Sequence, residues 1–153
     1  MALIYDKKIL RTPSKEWTGT LEELEELVDL MGSTMEENKG LGIAAIQVGK
    51  PYRVFLVGQG DRCELFINPR NIQLSPYKKK HWEACLSMKD TNVRTSRAHS
   101  ITLTYDTIKE GLPVVVKRTF KGFEAVKIQH ELDHINGFLI VDRGKAYYGK
   151  GSN

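Results

Sequence analysis

The sequence predicts an α+β domain: mixed or antiparallel β-sheets packed around a central C-terminal helix, with one further helix near the N-terminus. Three observations carry that expectation. Residues 20–38 space their apolar side chains by three and four, residues 53–120 break into short β-like runs punctuated by Gly and Pro, and residues 123–136 return to a helical pattern that is apolar around most of its circumference. With 153 residues, 41% of them hydrophobic, the chain has the material for one substantial core, so residues 1–153 are expected to form a single domain.

Taken in order, Met1 to Trp17 shows no sustained period, carries Pro13 and reads as an irregular lead-in. Thr20 and Glu23 then match the T-x-x-E capping box, and Leu21, Leu24, Leu27, Val28, Met31 and Met35 form the apolar stripe of a helix ending near Asn38-Lys39-Gly40. Gly32 costs this helix about 1 kcal/mol relative to Ala, so a break there is an open alternative. Residues 40–47 (G-L-G-I-A-A-I-Q) crowd small side chains ahead of Gln47, which suits close approach of a backbone or ligand and equally suits a tightly packed turn. Strands are expected at residues 53–57, 63–68, 80–86, 100–105 and 112–120, and a helix at 123–136 stopped by Gly137. Residues 138–141 read as a last strand or packing segment, and 142–153 as a polar, frayed tail.

Composition narrows the function classes. The net charge of +4 is spread along the chain, and Lys78-Lys79-Lys80 reads as a solvated loop, so no nucleic-acid specificity is expected. Two cysteines, Cys63 and Cys85, fit free thiols in a reducing compartment. No stretch is apolar enough for a membrane span and no secretion signal is evident, so a soluble, cytoplasmic protein is expected.

The chemistry is concentrated in His130-Glu131-Leu132-Asp133-His134, an H-E-x-x-H pattern. Histidines four residues apart share one helical face, so both imidazoles can hold one metal ion while Glu131 reaches a water beside it. A catalytic metal site needs a third protein ligand. Residues 135–153 contain no His, Glu or Cys, and only Asp142 could serve, so the ligand is expected upstream. Among Cys63, His81, Cys85 and His99, Cys85 is preferred because it ends a predicted strand, where a side chain is rigidly aimed.

Three stretches, in order, resemble the peptide deformylases. Residues 40–47 are similar to the family's first motif (G-apolar-G-apolar-A-A-x-Q), residues 83–87 (E-A-C-L-S) to its second (E-G-C-L-S), and residues 129–134 (Q-H-E-L-D-H) to its third (Q-H-E-x-D-H); Ile67-Asn68-Pro69 is a further shared segment. The resemblance spans residues 6–143. It implies a divalent metal held by Cys85, His130 and His134, with Fe(II) in the cell and Zn(II), Ni(II) or Co(II) as alternatives, and hydrolysis of the formyl group from formyl-methionyl nascent peptides. It further implies Glu131 as general acid and base, and the Gln47 side chain and Leu86 backbone N–H as oxyanion donors. Main-chain contacts to substrate fall to Leu41 and Gly42, and the methionine pocket to Leu41, Phe123 and Val126. Glu83 and Arg97 form a supporting ion pair; Asp133 either orients a ligand histidine or is solvated.

Three features depart from the family pattern: Ala84 replaces a glycine, Met88-Lys89 stands where an apolar-Pro pair is common, and only a short polar tail follows Val141, which suits a minimal, virus-encoded form and leaves the ribosome an open partner with no C-terminal helix to dock through. Rival readings are an H-E-x-x-H metallopeptidase cleaving internal bonds, disfavoured by the missing downstream ligand, and a structural metal module, which needs a closed four-ligand site.

Overall fold

The computed structural model describes residues 3–149. Within the lead-in, Asp6 caps a short helix α1 (Lys7–Leu10) that the sequence pattern does not reveal, and Leu10 is fully buried. Helix α2 (Leu21–Glu37) forms as expected, with both hydrogen bonds of the Thr20–Glu23 capping box in place. It runs through Gly32 without a break, because the buried stripe Leu24, Leu27, Met31 and Met35 outweighs the local propensity cost.

Five antiparallel strands make the larger sheet, in the order β1 (Gly42–Ala44), β2 (Val54–Val57), β3 (Glu64–Leu74), β6 (Ser100–Lys109), β7 (Leu112–Lys121). Every residue of β2 is buried, since helices cover both of its faces. Phe55 and Val57 point into one core with the C-terminal helix α3 (Gly122–Ile135), whereas Val54 and Leu56 point into the other with α2. β3 runs past Pro69 on the register shifts flanking Arg70, with Asn68 and Asn71 at positive φ. The β6–β7 hairpin closes through Glu110 and Gly111, both at positive φ, as a two-residue turn requires.

A smaller antiparallel sheet contains β4 (Lys78–Cys85), β5 (Met88–Ala98) and β8 (Gly144–Tyr148). Three expectations are corrected here. Lys78 to Lys80 are the start of β4, not a loop. β5 was not anticipated, because the side chains it buries include Thr91, Thr95 and Arg97, a polar inner face that hides the strand's alternation. The tail is not frayed through residue 148: β8 pairs with β5 over five residues, while 150–153 lie outside the described residues.

Helix α3 (Gly122–Ile135) packs on strands of both sheets, and Ala125, Ile128 and Ile135 are fully buried. Gly137, at φ 84°, ends its turn where a Cβ would lie 2.6 Å from the Arg11 carbonyl oxygen. Beyond it Leu139 and Ile140 pack into the core and lead into a 3-10 turn (Ile140–Asp142), so 138–141 is a packing segment.

Candidate functional site

α3 presents His130 and His134 one turn apart, and β4 ends on Cys85 where the chain turns through Leu86 and Ser87 into β5. Cys85 Sγ lies 3.3 Å from His134 Nε2, and the ligand atoms of Cys85, His130 and His134 fall within 4.8 Å of one another. All three are buried. Sulfur and nitrogen ligands of one tetrahedral ion stand about 3.5 Å apart, so the spacing fits a shared cation.

The surroundings fit one too. His130 Nδ1 is 2.9 Å from Glu83 Oε1, which fixes the proton on Nδ1 and turns Nε2 toward Cys85. Burial pushes the Cys85 thiol up, but the His134 and His130 imidazoles outweigh it and hold it well below its ordinary value. Burial also disfavours charge on His130, yet hydrogen bonds to Cys85 and Glu83 raise it to about 10. Thiolate and carboxylate together therefore call for a positive charge between them, whether a proton or a metal ion.

Glu83 is itself held by Arg97 Nε at 2.7 Å and Nη2 at 2.9 Å, and by the Thr95 hydroxyl. Burial opposes its ionisation, but His130 and Arg97 hold its carboxyl well below the usual range. Arg97 Nη1 reaches Asp133 at 2.7 Å, and Arg143 Nη2 reaches the other Asp133 oxygen at 2.8 Å. Asp133 thus bridges two arginines; the carboxylate that orients a histidine of the cluster is Glu83. Gln129, in the same motif, clasps the Ala98 backbone, accepting from its N–H and donating to its carbonyl, which ties α3 to the end of β5.

Glu131 sits against Gly42 of β1. Burial raises its affinity for a proton, and its Oε1 has no hydrogen-bond partner among the described residues. A Cβ on Gly42 would lie 2.6 Å from Glu131 Oε2, so glycine is needed for the carboxylate to sit there. Gln47 follows β1 in a 3-10 turn (Ala45–Val48). Its Oε1 accepts from the Ala44 N–H at 2.9 Å, and its Nε2 donates to Ser87 Oγ at 3.1 Å and lies 3.7 Å from Cys85 Sγ. That clamp leaves the amide only one orientation.

A cavity of about 240 Å³ brings Leu41, Gly42, Gln47, Cys85, Leu86, His130 and Glu131 together, with Lys39, Ala84 and Lys127 at its wall. The match to known proteins agrees with this arrangement. A family model described as polypeptide deformylase matches residues 2–148. The chain belongs to the peptide deformylase family.

A peptide deformylase of Thermotoga petrophila is 33% identical over 140 residues, 92% of this chain and 84% of that protein. Among solved structures, the deformylase of Thermotoga maritima superposes with a TM-score of 0.86 at 32% identity, covering 95% of this chain and 97% of that one. A probable peptide deformylase from Synechococcus phage S-SSM7 gives 0.81 at 35% identity, covering 89% and 93%.

Within the deformylase frame, Ala84 replaces the motif glycine at no backbone cost, since it is not among the residues at positive φ. Phe123 and Val126 do not line this cavity: Phe123 is 61% exposed at the first turn of α3 with Lys127 over its ring, and Val126 is buried. Ser87 and Thr95, which steer Gln47 and Glu83, were not singled out as site residues from the sequence. Ser87 stands inside the second motif, which was its one available signal; Thr95 has none without the strand register.

Proposed function

We propose that this chain hydrolyses the formyl group from the N-terminal formyl-methionine of nascent peptides, yielding formate and a free amine. The observation that carries the reading is a buried Cys85–His130–His134 cluster whose Cys85 and His130 open onto one cavity with Glu131 and Gln47. When bound there, a divalent cation supplies Lewis acidity and lowers the pKa of a water toward neutrality. Two imidazoles and a thiolate suit Zn(II), Ni(II) and Co(II), and we take Fe(II) as the cellular ion on the family resemblance. The same reading makes residues 1–153 one catalytic domain acting in the cytoplasm; no helix among the described residues is long and apolar enough to cross a membrane.

The protein groups divide the reaction among them. Glu131, with one free carboxylate oxygen, takes the proton of the attacking water and returns it to the leaving amine. Charge developing on the formyl oxygen meets the Gln47 Nε2–H and the Leu86 backbone N–H. The Leu41 carbonyl accepts from Gly58 at 2.9 Å, so by antiparallel alternation the Gly42 N–H and C=O face the open edge of β1. Gly42 therefore supplies the main-chain bonds to an extended substrate, and Leu41 contributes its side chain. The methionine side chain is placed against Leu41 at the cavity wall, and Phe123 and Val126, which lie outside the cavity, take no part in holding it. A site closed around a formyl hydrogen leaves no room for an acetyl methyl.

Gln47→Ala is expected to lower kcat/KM by about 100- to 1,000-fold while the fold is retained, the usual effect of deleting one oxyanion donor. Formate release and thermal unfolding check it together, and activity within tenfold of the parent would remove Gln47 from the mechanism. Gly42→Ala is expected to cost about 100-fold, because its methyl displaces the Glu131 carboxylate. An unchanged kcat/KM would show that Glu131 tolerates the displacement.

The decisive experiment purifies the protein anaerobically, loads it in turn with Fe(II), Zn(II), Ni(II) and Co(II), and measures formate released from a formyl-Met tripeptide alongside cleavage of an internal-bond peptide. Formate release, with loss of bound metal in Cys85→Ala, is the expected outcome. No turnover of the formyl substrate with any metal overturns the reading.

A further inference from the structure

The outward face of the smaller sheet gathers aromatic and basic side chains from all three of its strands. On β4, β5 and β8 the side chains that do not enter the core include Lys80 and Trp82, Arg94 and Ser96, and Lys145 and Tyr147. The register aligns Trp82 with Arg94 and Arg94 with Lys145 across the three strands. Trp82 and Tyr147 lean together over the central strand with ring centroids 5.2 Å apart, yet they remain 56% and 44% exposed. The Arg94 guanidinium lies 5.3 Å from the Trp82 ring and Lys145 Nζ lies 5.4 Å from the Tyr147 ring. Where the three strands are aligned, the outward positions are 80, 82 and 84, then 92, 94 and 96, then 145 and 147, and none carries a carboxylate; Asp90, exposed near the start of β5 at φ 53°, lies outside that aligned block.

We infer that this face binds single-stranded RNA, independently of the hydrolytic site. Aromatic rings on an antiparallel sheet, flanked by cations and with no acid among the aligned positions, provide what an unpaired strand needs: planar faces for bases and positive charge for phosphates. Charge complementarity selects a polyanion, and the exposed rings select one that carries flat bases; an acidic peptide would use the cations and leave the rings idle. The face lies beside the cavity, for Ala84 lines the cavity wall and stands two residues along β4 from Trp82, about 7 Å. In the linear sequence the cations are far apart, which is why the charge pattern alone indicates no nucleic-acid stripe.

The test uses the full chain and a fluorescein-labelled 12-nucleotide oligouridylate, read by anisotropy between 50 and 200 mM salt. The expected result is salt-dependent binding with a slope in log K against log salt of about −2, as three cations on a single strand imply. Trp82→Ala is expected to weaken binding by about fivefold to a hundredfold, the range of one lost base stack. The Arg94→Glu, Lys145→Glu double variant is expected to abolish binding, and both variants keep the parent's formate release, which certifies their fold. Absence of binding, binding undiminished in these variants, or a polyglutamate peptide competing as well as the RNA each overturns the inference.

Discussion

Glu131→Gln is expected to lower kcat/KM for a formyl-Met peptide by about a hundredfold to ten-thousandfold, the range for losing a positioned general acid–base group. The substitution changes almost no volume and leaves Cys85, His130 and His134 in place, so metal content should stay at the parent level. The carboxylate is placed for proton transfer and for little else. One oxygen has no partner, the other is pressed against Gly42, and burial raises its hold on a proton. A glutamine there cannot accept a proton from water at any useful pH. Steady-state formate release, paired with metal analysis of the same sample, reads the effect; a metal-replete variant within tenfold of the parent would falsify the assignment.

Arg97→Ala is expected to destabilise the protein by about 3–5 kcal/mol, the usual result of removing one partner from a buried ionic group. Arg97 is buried between Glu83, which it grips through two nitrogens, and Asp133. Its loss leaves both carboxylates short of their counter-ion inside the protein, although Arg143 still reaches Asp133 from the surface side. The pH dependence has a definite sign. The folded Glu83 carboxyl is held below its ordinary value, so its stabilising contribution is complete above the unfolded glutamate pKa of about 4.3 and is lost as pH falls toward the folded value. The deficit of the variant should therefore be largest at neutral pH and shrink in acid, where the carboxylates can be protonated. Urea unfolding at pH 7 and pH 4 measures both. Because Glu83 also orients His130, metal affinity should drop by about 10- to 100-fold. Equal stability of parent and variant at pH 7 would show that Arg97 is not the counter-ion holding Glu83.

What was legible and what was not follows from the range of the interactions. The α2 cap, its stripe and the Gly137 stop depend on neighbours within a turn or two, and all stand in the structure. β5 did not show, because Thr95 and Arg97 face inward to serve Glu83, and a strand with a polar buried face loses the alternation that identifies it. β8 was hidden because a short strand of Gly, Lys, Ala and Tyr has little preference of its own until β5 pairs with it. Asp133 showed the same limit at one residue: its motif neighbours a ligand histidine in sequence, but the side chain leaves the helix on the face toward Arg97 and Arg143.

By itself the sequence determined that two histidines and a glutamate share one helix at metal-binding spacing, because that spacing is local and four residues make one turn. It also pointed to Cys85, by leaving the downstream chain without His, Glu or Cys and ending a strand upstream. Only the tertiary structure decided that Cys85 meets those histidines, that Glu83 rather than Asp133 orients one of them, that Ser87 clamps Gln47, and that Trp82, Arg94, Lys145 and Tyr147 share one open face. Each of those contacts joins segments distant in the chain. They are set by strand register and helix packing, and a shift of one residue in register would turn every one of these strand side chains to the opposite face.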